Sequence, residues 1–258
     1  MLRQNDEVVF KDKERTFLSG QNDDDMRLME DACYFGKYMI AIYGGKGYAI
    51  LHGPSGIVAL SGGCLSCQRS FSKSRIQGDN VCGCNEIGLI KELGIEPEDL
   101  AYLSFRTGVV AIPYCICVDK KRQRVVLAIR GTLSLEDLLS DITVRPVSLK
   151  QLGQKFGFEG DGEYAHSGML ASAEWLVKDL EKNQVLQKLL LNHDAPYREY
   201  EFTITGHSLG AGCAAILALL LQKDFPSLRC FCFAPPAVVS RGLVEQPYVT
   251  SFVVGVDG

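Results

Sequence analysis

The chain has 258 residues, 47% hydrophobic and 22% charged, which is enough to build one sizeable core and too apolar for a chain that stays disordered. Its formal net charge is −4 and no run of Lys and Arg is long enough to track a phosphate backbone, so a small or uncharged molecule is the expected partner and nucleic acid is not. The longest apolar run, Ala214 to Leu221, falls well short of the roughly 18 residues a spanning helix needs, and Met1–Phe10 is too polar for a secretion signal, so a cytoplasmic or membrane-associated setting is expected.

The composition shifts once, around the loop 61–85, and divides the chain into an N-terminal helical and loop region, 1–98, and a core, 99–258. In the first region Asp23, Asp24 and Asp25 supply the N-cap and first-turn carboxylates of a helix. Its apolar positions Met29, Ala32, Cys33, Gly36, Met39, Ile40 and Tyr43 follow helical spacing, and it should end at Gly44-Gly45 and dock its apolar face on the core. Cys64-x-x-Cys67 and Cys82-x-Cys84 form two close thiol pairs, but the second has the wrong spacing for common zinc ribbons. Ser61–Asn85 is rich in Ser, Gly, Arg and Lys, so a reduced or acylated loop is expected, and neither a metal nor a cofactor is assigned.

The core reads as strands alternating with helices. Gly108–Val118 and Gln123–Arg130 are β-branched, apolar runs joined by Asp119-Lys120-Lys121-Arg122, the pattern of an antiparallel hairpin. Four of the ten cysteines, Cys115, Cys117, Cys230 and Cys232, alternate within strands as small buried apolar residues. Ser134 with Asp137 resembles a capping box opening a short helix. The stretch Arg145–Gly162 sets Val147, Leu149, Leu152, Phe156 and Phe158 among Gly and Lys, as a mobile apolar lid would. Met169 to Leu180 is an amphipathic helix capped by Ser167 and continuing or restarting through Val185–Leu190. Glu201–Thr205 is a strand, Leu209–Gln222 an apolar helix, and Leu228–Phe233 and Val249–Val254 further strands. Together these predict an α/β fold, a mostly parallel sheet covered by helices on both faces.

Between the strand ending at Thr205 and the helix starting near Leu209 stands Gly206-His207-Ser208-Leu209-Gly210, a G-x-S-x-G pentapeptide. Alone it is a weak signal; at a strand-to-helix turn it is a nucleophile elbow. The turn is so tight that side chains two residues either side of the Ser would strike the neighbouring strand and helix, hence the glycines. Ser208 then stands at a helix N-terminus, where the Leu209 amide is the natural first donor to a developing oxyanion. Arg130-Gly131-Thr132, at the end of a core strand, offers a second donor in Thr132, whose N–H and hydroxyl are both available in principle.

Val125–Ser134, continuing to Asp141, together with Gly206–Gly212 resembles the class 3 lipases, which are α/β-hydrolases. Within them the chain is similar to the sn-1-specific diacylglycerol lipases, through Cys232-Phe233-Ala234-Pro235-Pro236 and Ser251–Asp257. The resemblance covers roughly 99–258, extends weakly to Tyr38–Tyr43, which is similar to a helix preceding the catalytic core in that branch, and implies Ser208 as nucleophile, Asp257 as the acid that orients the catalytic His, and Thr132 with Leu209 as oxyanion donors. It implies hydrolysis of the sn-1 ester of diacylglycerol through an acyl-serine intermediate, work at a membrane or lipid surface, and a tolerance of Ca²⁺ stimulation. The alternatives are a triacylglycerol lipase of broader specificity, since the elbow does not choose the head group, and a lipid-binding pseudo-hydrolase.

None of the four histidines fits the chain order Ser, Asp, His: His52 and His193 read as polar loop positions, the resemblance implies a structural role for His166, and His207 reads as aimed away from Ser208. Only Gly258 follows Asp257, so the sequence predicts a hydrolase lacking its C-terminal elements. This 258-residue chain alone should be inactive or nearly so; diacylglycerol hydrolysis by it at a rate abolished by Ser208→Ala would contradict that.

Overall fold

The computed structural model describes residues 22–65, 76–80, 83–131 and 145–253. Its frame is a seven-stranded sheet in the order β1-β2-β3-β4-β7-β8-β9, built from Ile76–Gly78 (β1), Leu100–Phe105 (β2), Tyr114–Asp119 (β3), Arg124–Ile129 (β4), Glu201–His207 (β7), Arg229–Phe233 (β8) and Val249–Phe252 (β9). Only β3 runs against the rest, pairing antiparallel with β2 and with β4. The β3–β4 hairpin is the one expected, with Tyr114 opposite Ile129 and Asp119 opposite Arg124. A two-stranded ribbon, Pro146–Ser148 (β5) with Tyr164–His166 (β6), stands apart from the main sheet.

Strand alternation sends each side of the sheet into its own core. On one face Val125, Leu127, Ile129, Phe202 and Ile204 pack under the helices Ser167–Asn183 (α5) and Leu209–Leu221 (α6). On the other, Val126, Ala128, Cys115, Cys117 and Phe231 meet the helices Asp23–Ala41 (α1) and Cys84–Leu93 (α3). Helix α6 is apolar all round because it lies buried between the sheet and α5, and eleven of its residues are buried.

Helix α1 docks as expected, but on a shifted face that keeps only Ala32 and Gly36 of the expected positions fully buried. The buried residues are Ala32, Phe35, Gly36, Tyr38 and Ala41, whereas Met29, Cys33 and Ile40 are exposed or half-exposed. The two rings choose that face: Phe35 stacks on Phe231 with centroids 5.1 Å apart, and the Tyr38 hydroxyl donates to Asp119 at 2.9 Å. The cap is Asn22, which accepts from the Asp24 amide, with the three aspartates in the first turn. Gly44–Leu65 (α2) follows, broken at Gly53 (φ 57°, ψ −142°) before Pro54, in a stretch where no helix is assigned from the sequence; His52, read there as a loop position, lies on this helix.

Two further corrections concern α5 and the segment before it. His166, rather than Ser167, caps α5, its Nδ1 accepting from the Met169 amide at 3.4 Å. The stretch 145–162, expected as a mobile lid, is pinned to the core instead: β5 pairs with β6, Leu149 is buried, and the helix Lys150–Phe156 (α4) sets Leu152 and Phe156 against the main cluster. Strand β2 is not predicted from sequence either, because its apolar run is short and follows the polar Glu96-Pro97-Glu98-Asp99 turn. The helix expected at Ser134 lies outside the described residues.

A buried carboxylate ties α5 to the sheet edge. Asp179 accepts from Tyr114 at 2.8 Å, from Tyr102 at 3.3 Å and from Arg106 at 3.3 Å. Asp179→Ala would take the acceptor from the two buried tyrosine hydroxyls and should lower unfolding free energy by about 3 kcal/mol in a denaturant titration. Burial pushes the Tyr102 and Tyr248 hydroxyls up from 10.0 to about 12. A raised native pKa adds stability that is full below the unfolded value and lost as the native one is approached, so the thermal midpoint should hold to pH 10 and fall steeply toward pH 12. At the start of α6, a Cβ on Gly210 would lie 2.6 Å from the Ile129 carbonyl oxygen. Gly210→Ala should therefore destabilise by about 1–3 kcal/mol, read from the same titration.

Candidate active site

The parallel strands end along one edge of the sheet, at Phe105, Ile129, His207, Phe233 and Phe252, the edge where open α/β sheets bind ligands. Ser208 stands on it, between β7 and α6, with φ 54° and ψ −124°. That backbone is uncommon for a residue with a Cβ and costs of order 1–3 kcal/mol. It persists because its neighbours over-determine it. The Ser208 amide donates to the Phe233 carbonyl at 2.9 Å, and the Ser208 carbonyl accepts from Ala211 and Gly212 in the first turn of α6.

The flanking glycines are set by contact distance. A Cβ on Gly206 would lie 2.5 Å from the Gly210 carbonyl oxygen, and one on Gly131 2.5 Å from the His207 carbonyl oxygen. Gly212 faces α5, where a Cβ would meet the Met169 sulfur at 2.6 Å and Val238 at 2.7 Å. The strand pairing brings Ile129 level with Gly206, so the segment leading to Thr132 runs beside the segment leading to Ser208. Thr132 itself and Asp257 lie outside the described residues. Leu209 opens α6, where the first amides have no intrahelical acceptor. Among the described residues the half-buried Ser208 hydroxyl has no hydrogen-bond partner.

Three of the four histidines are engaged elsewhere. His207 turns to the opposite face from α6, with Nδ1 3.4 Å from the Tyr43 hydroxyl. His166 caps α5, and His52 meets Glu92 at 2.8 Å. His193 precedes β7, on the edge away from Ser208. In the sequence Tyr43 is a position on the α1 face, within the Tyr38–Tyr43 segment to which the family resemblance weakly extends, yet in the fold it sits against the elbow. Burial raises its hydroxyl pKa, opposed by the Arg130 cation and by a backbone hydrogen bond from Gly131. Arg130 lies over the Phe105 ring at 5.8 Å, and burial lowers its own pKa while leaving it a cation beside the edge.

No cluster of three or more His, Cys, Asp or Glu side chains disposed to hold a metal occurs among the described residues. Cys84 is a free, half-buried thiol; Cys67, Cys82 and the side chain of Cys64 lie outside the described set. A cavity of about 440 Å³ lined by Tyr102, Asn183, Lys188 and Tyr197 opens by the start of the strands, away from Ser208, and includes no residue of the elbow. No helix among the described residues is long and apolar enough to cross a membrane.

Comparison with known proteins places this geometry. The family model "Lipase (class 3)" matches residues 126–253, from within β4 to just past β9. Over 253 residues the chain is 32% identical to human (Homo sapiens) diacylglycerol lipase-alpha, covering 93% of this chain and 24% of that protein. Mouse (Mus musculus) diacylglycerol lipase-beta is 29% identical over 232 residues, covering 89% and 33%. The chain thus spans between a quarter and a third of the length of these relatives. The crystal structure of a mutant form of MDLA from Penicillium cyclopium superposes with a TM-score of 0.57 at 20% identity, over 88% of this chain and 71% of that one. Lipase II from Rhizopus niveus gives 0.52 at 18% identity, over 83% and 64%. These two likenesses establish the fold, an α/β-hydrolase sheet flanked by helices. With the family pattern running through the strand before the elbow, the elbow itself and the two strands after it, the chain belongs to the class 3 lipases.

Proposed function

We propose that this protein is a serine hydrolase that cleaves the sn-1 acyl ester of diacylglycerol through an acyl-serine intermediate. The observation that carries the proposal is the strained Ser208 at the head of α6 and on the strand-end edge of the sheet, its hydroxyl without a partner among the described residues. The substrate class rests on the similarity to the diacylglycerol lipases over nearly the whole chain.

In this reading Ser208 attacks the ester carbonyl and becomes acylated while the diglyceride's remaining glycerol part leaves; water then hydrolyses the acyl-enzyme and releases the fatty acid. The Leu209 amide is the first oxyanion donor. Thr132 is the second, supported by the contact of Gly131 with the residue before Ser208. Asp257 orients the imidazole of the general base, supported by its place just after β9, the strand next to β8. None of the four histidines is assigned as that base. The substrate is lipid, so the protein works at a membrane or lipid surface; no cofactor is assigned, and Ca²⁺ stimulation is an expectation of family resemblance alone.

The placement of His52, His166 and His207 on other partners favours one second reading, a lipid-binding pseudo-hydrolase. The two readings part on reactivity. A fluorophosphonate should label the full-length protein at Ser208, Ser208→Ala should abolish labelling, and diacylglycerol turnover should fall with it by at least about 10³-fold. A full-length protein that neither labels nor hydrolyses would support the pseudo-hydrolase.

A further inference from the structure

Two segments have to be held in register for the proposed chemistry, the one ending in Ser208 and the one leading to Thr132. Their last paired residues are Gly206 and Ile129. Beyond that pair they approach without side chains between them, the Gly131 Cβ position being 2.5 Å from the His207 carbonyl oxygen. A displacement of about 1 Å at such a site costs on the order of 10²-fold in rate, so whatever fixes their separation bears directly on catalysis.

One side chain touches both. The Tyr43 hydroxyl lies 3.4 Å from His207 Nδ1 and 2.9 Å from the Gly131 Cβ position. The Gly131 backbone packs directly against it, and the hydroxyl and the imidazole lie within hydrogen-bond reach, the histidine's tautomer setting which of them donates. His207 immediately precedes Ser208, and Gly131 immediately precedes Thr132. The brace therefore acts one residue upstream of each group it would position.

Tyr43 is itself well anchored. It occupies the two-residue junction between α1 and α2, its amide donating to the Ile40 carbonyl at 3.1 Å. A Cβ on Gly47 would come within 2.6 Å of the Tyr43 Cβ, and Gly44, with φ 65°, turns the chain immediately after it. Behind it α1 is fixed to the sheet by the Phe35–Phe231 stack and the Tyr38–Asp119 hydrogen bond. A rigid helix thus delivers a single hydroxyl to the gap between the two strand ends.

We infer that Tyr43 is a positioning residue for the hydrolytic site, its hydroxyl bridging His207 and the Gly131 backbone so that Ser208 keeps its place beside the end of β4. This rests on the serine-hydrolase reading for its kinetic consequence, and on the geometry of the fold alone for the bridge itself.

The test is Tyr43→Phe in the full-length protein, which removes the hydroxyl and keeps the ring. With diacylglycerol in mixed micelles, kcat should fall by about ten-fold and KM should stay within about two-fold, because the lost interaction acts on the transition state rather than on substrate binding. The fluorophosphonate labelling rate should fall with kcat. His207→Phe should reproduce the loss, and the double variant should be little worse than either single, because the pair acts as a unit. Independently of any activity, the His207 imidazole ¹⁵N resonances should move in Tyr43→Phe. Unchanged kcat and labelling in Tyr43→Phe of an active wild-type protein would overturn the positioning role and leave the hydrolase reading standing. Unmoved His207 resonances would overturn the bridge whether or not the protein is a hydrolase, whereas moved resonances in a wild type without activity or labelling would uphold the bridge and refute the hydrolase reading.

Discussion

Backbone touching backbone at one edge of the sheet is the constraint from which the site follows. Gly206 meets Gly210 across the elbow, Gly210 meets the end of β4, and Gly131 meets His207, each at a distance no Cβ could occupy. Those approaches let α6 begin directly beneath the strand ends. They also force Ser208 into a conformation that a residue with a side chain seldom takes. The strain is offset by the amide bond to Phe233 and by the first-turn bonds of α6, so the elbow is held by the same contacts that seat the helix.

The two cores divide the work around that edge. The α5–α6 face buries an apolar helix that begins at Ser208, which in the proposed reading supplies the electrostatic half of the site. The opposite face carries α1 across β4, β7 and β8 and ends at Tyr43, against His207. The α1 helix thus belongs to the scaffold of the site, and its docking rings Phe35 and Tyr38 fix where the Tyr43 junction arrives.

Much of this is legible in the residues. The hairpin Tyr114–Ile129, the strand–elbow–helix from Glu201 to Leu221 and the parallel strands after it all follow from apolar periodicity and from glycines whose spacing has a single steric explanation. The failures also have physical reasons. Periodicity misplaces the face of α1 because Met29 and Ile40 satisfy the same helical spacing as Phe35 and Tyr38, and only tertiary contact with Phe231 and Asp119 decides between them. Helix α2 is invisible because Gly53 and Pro54 read as loop while they form the break in a helix. The segment 145–162 looks like a lid because apolar residues in a Gly-rich stretch carry no sign of what they pack against, and Leu149 and Phe156 pack on the core. The partnership of Tyr43 with His207 spans 164 positions, a distance no local pattern encodes.

The central proposal is that Ser208 is held in its strained turn so that, in the reacting protein, its hydroxyl and the amides of Leu209 and Thr132 serve one reacting atom. A crystal structure of the full-length protein after reaction with a phosphonate ester tests it most directly. The account predicts phosphorus bonded to Ser208 Oγ, Ser208 still at positive φ, and the phosphonyl oxygen within about 3.1 Å of the Leu209 and Thr132 nitrogens. An adduct whose phosphonyl oxygen points into solvent, or a Ser208 relaxed to negative φ, would contradict it.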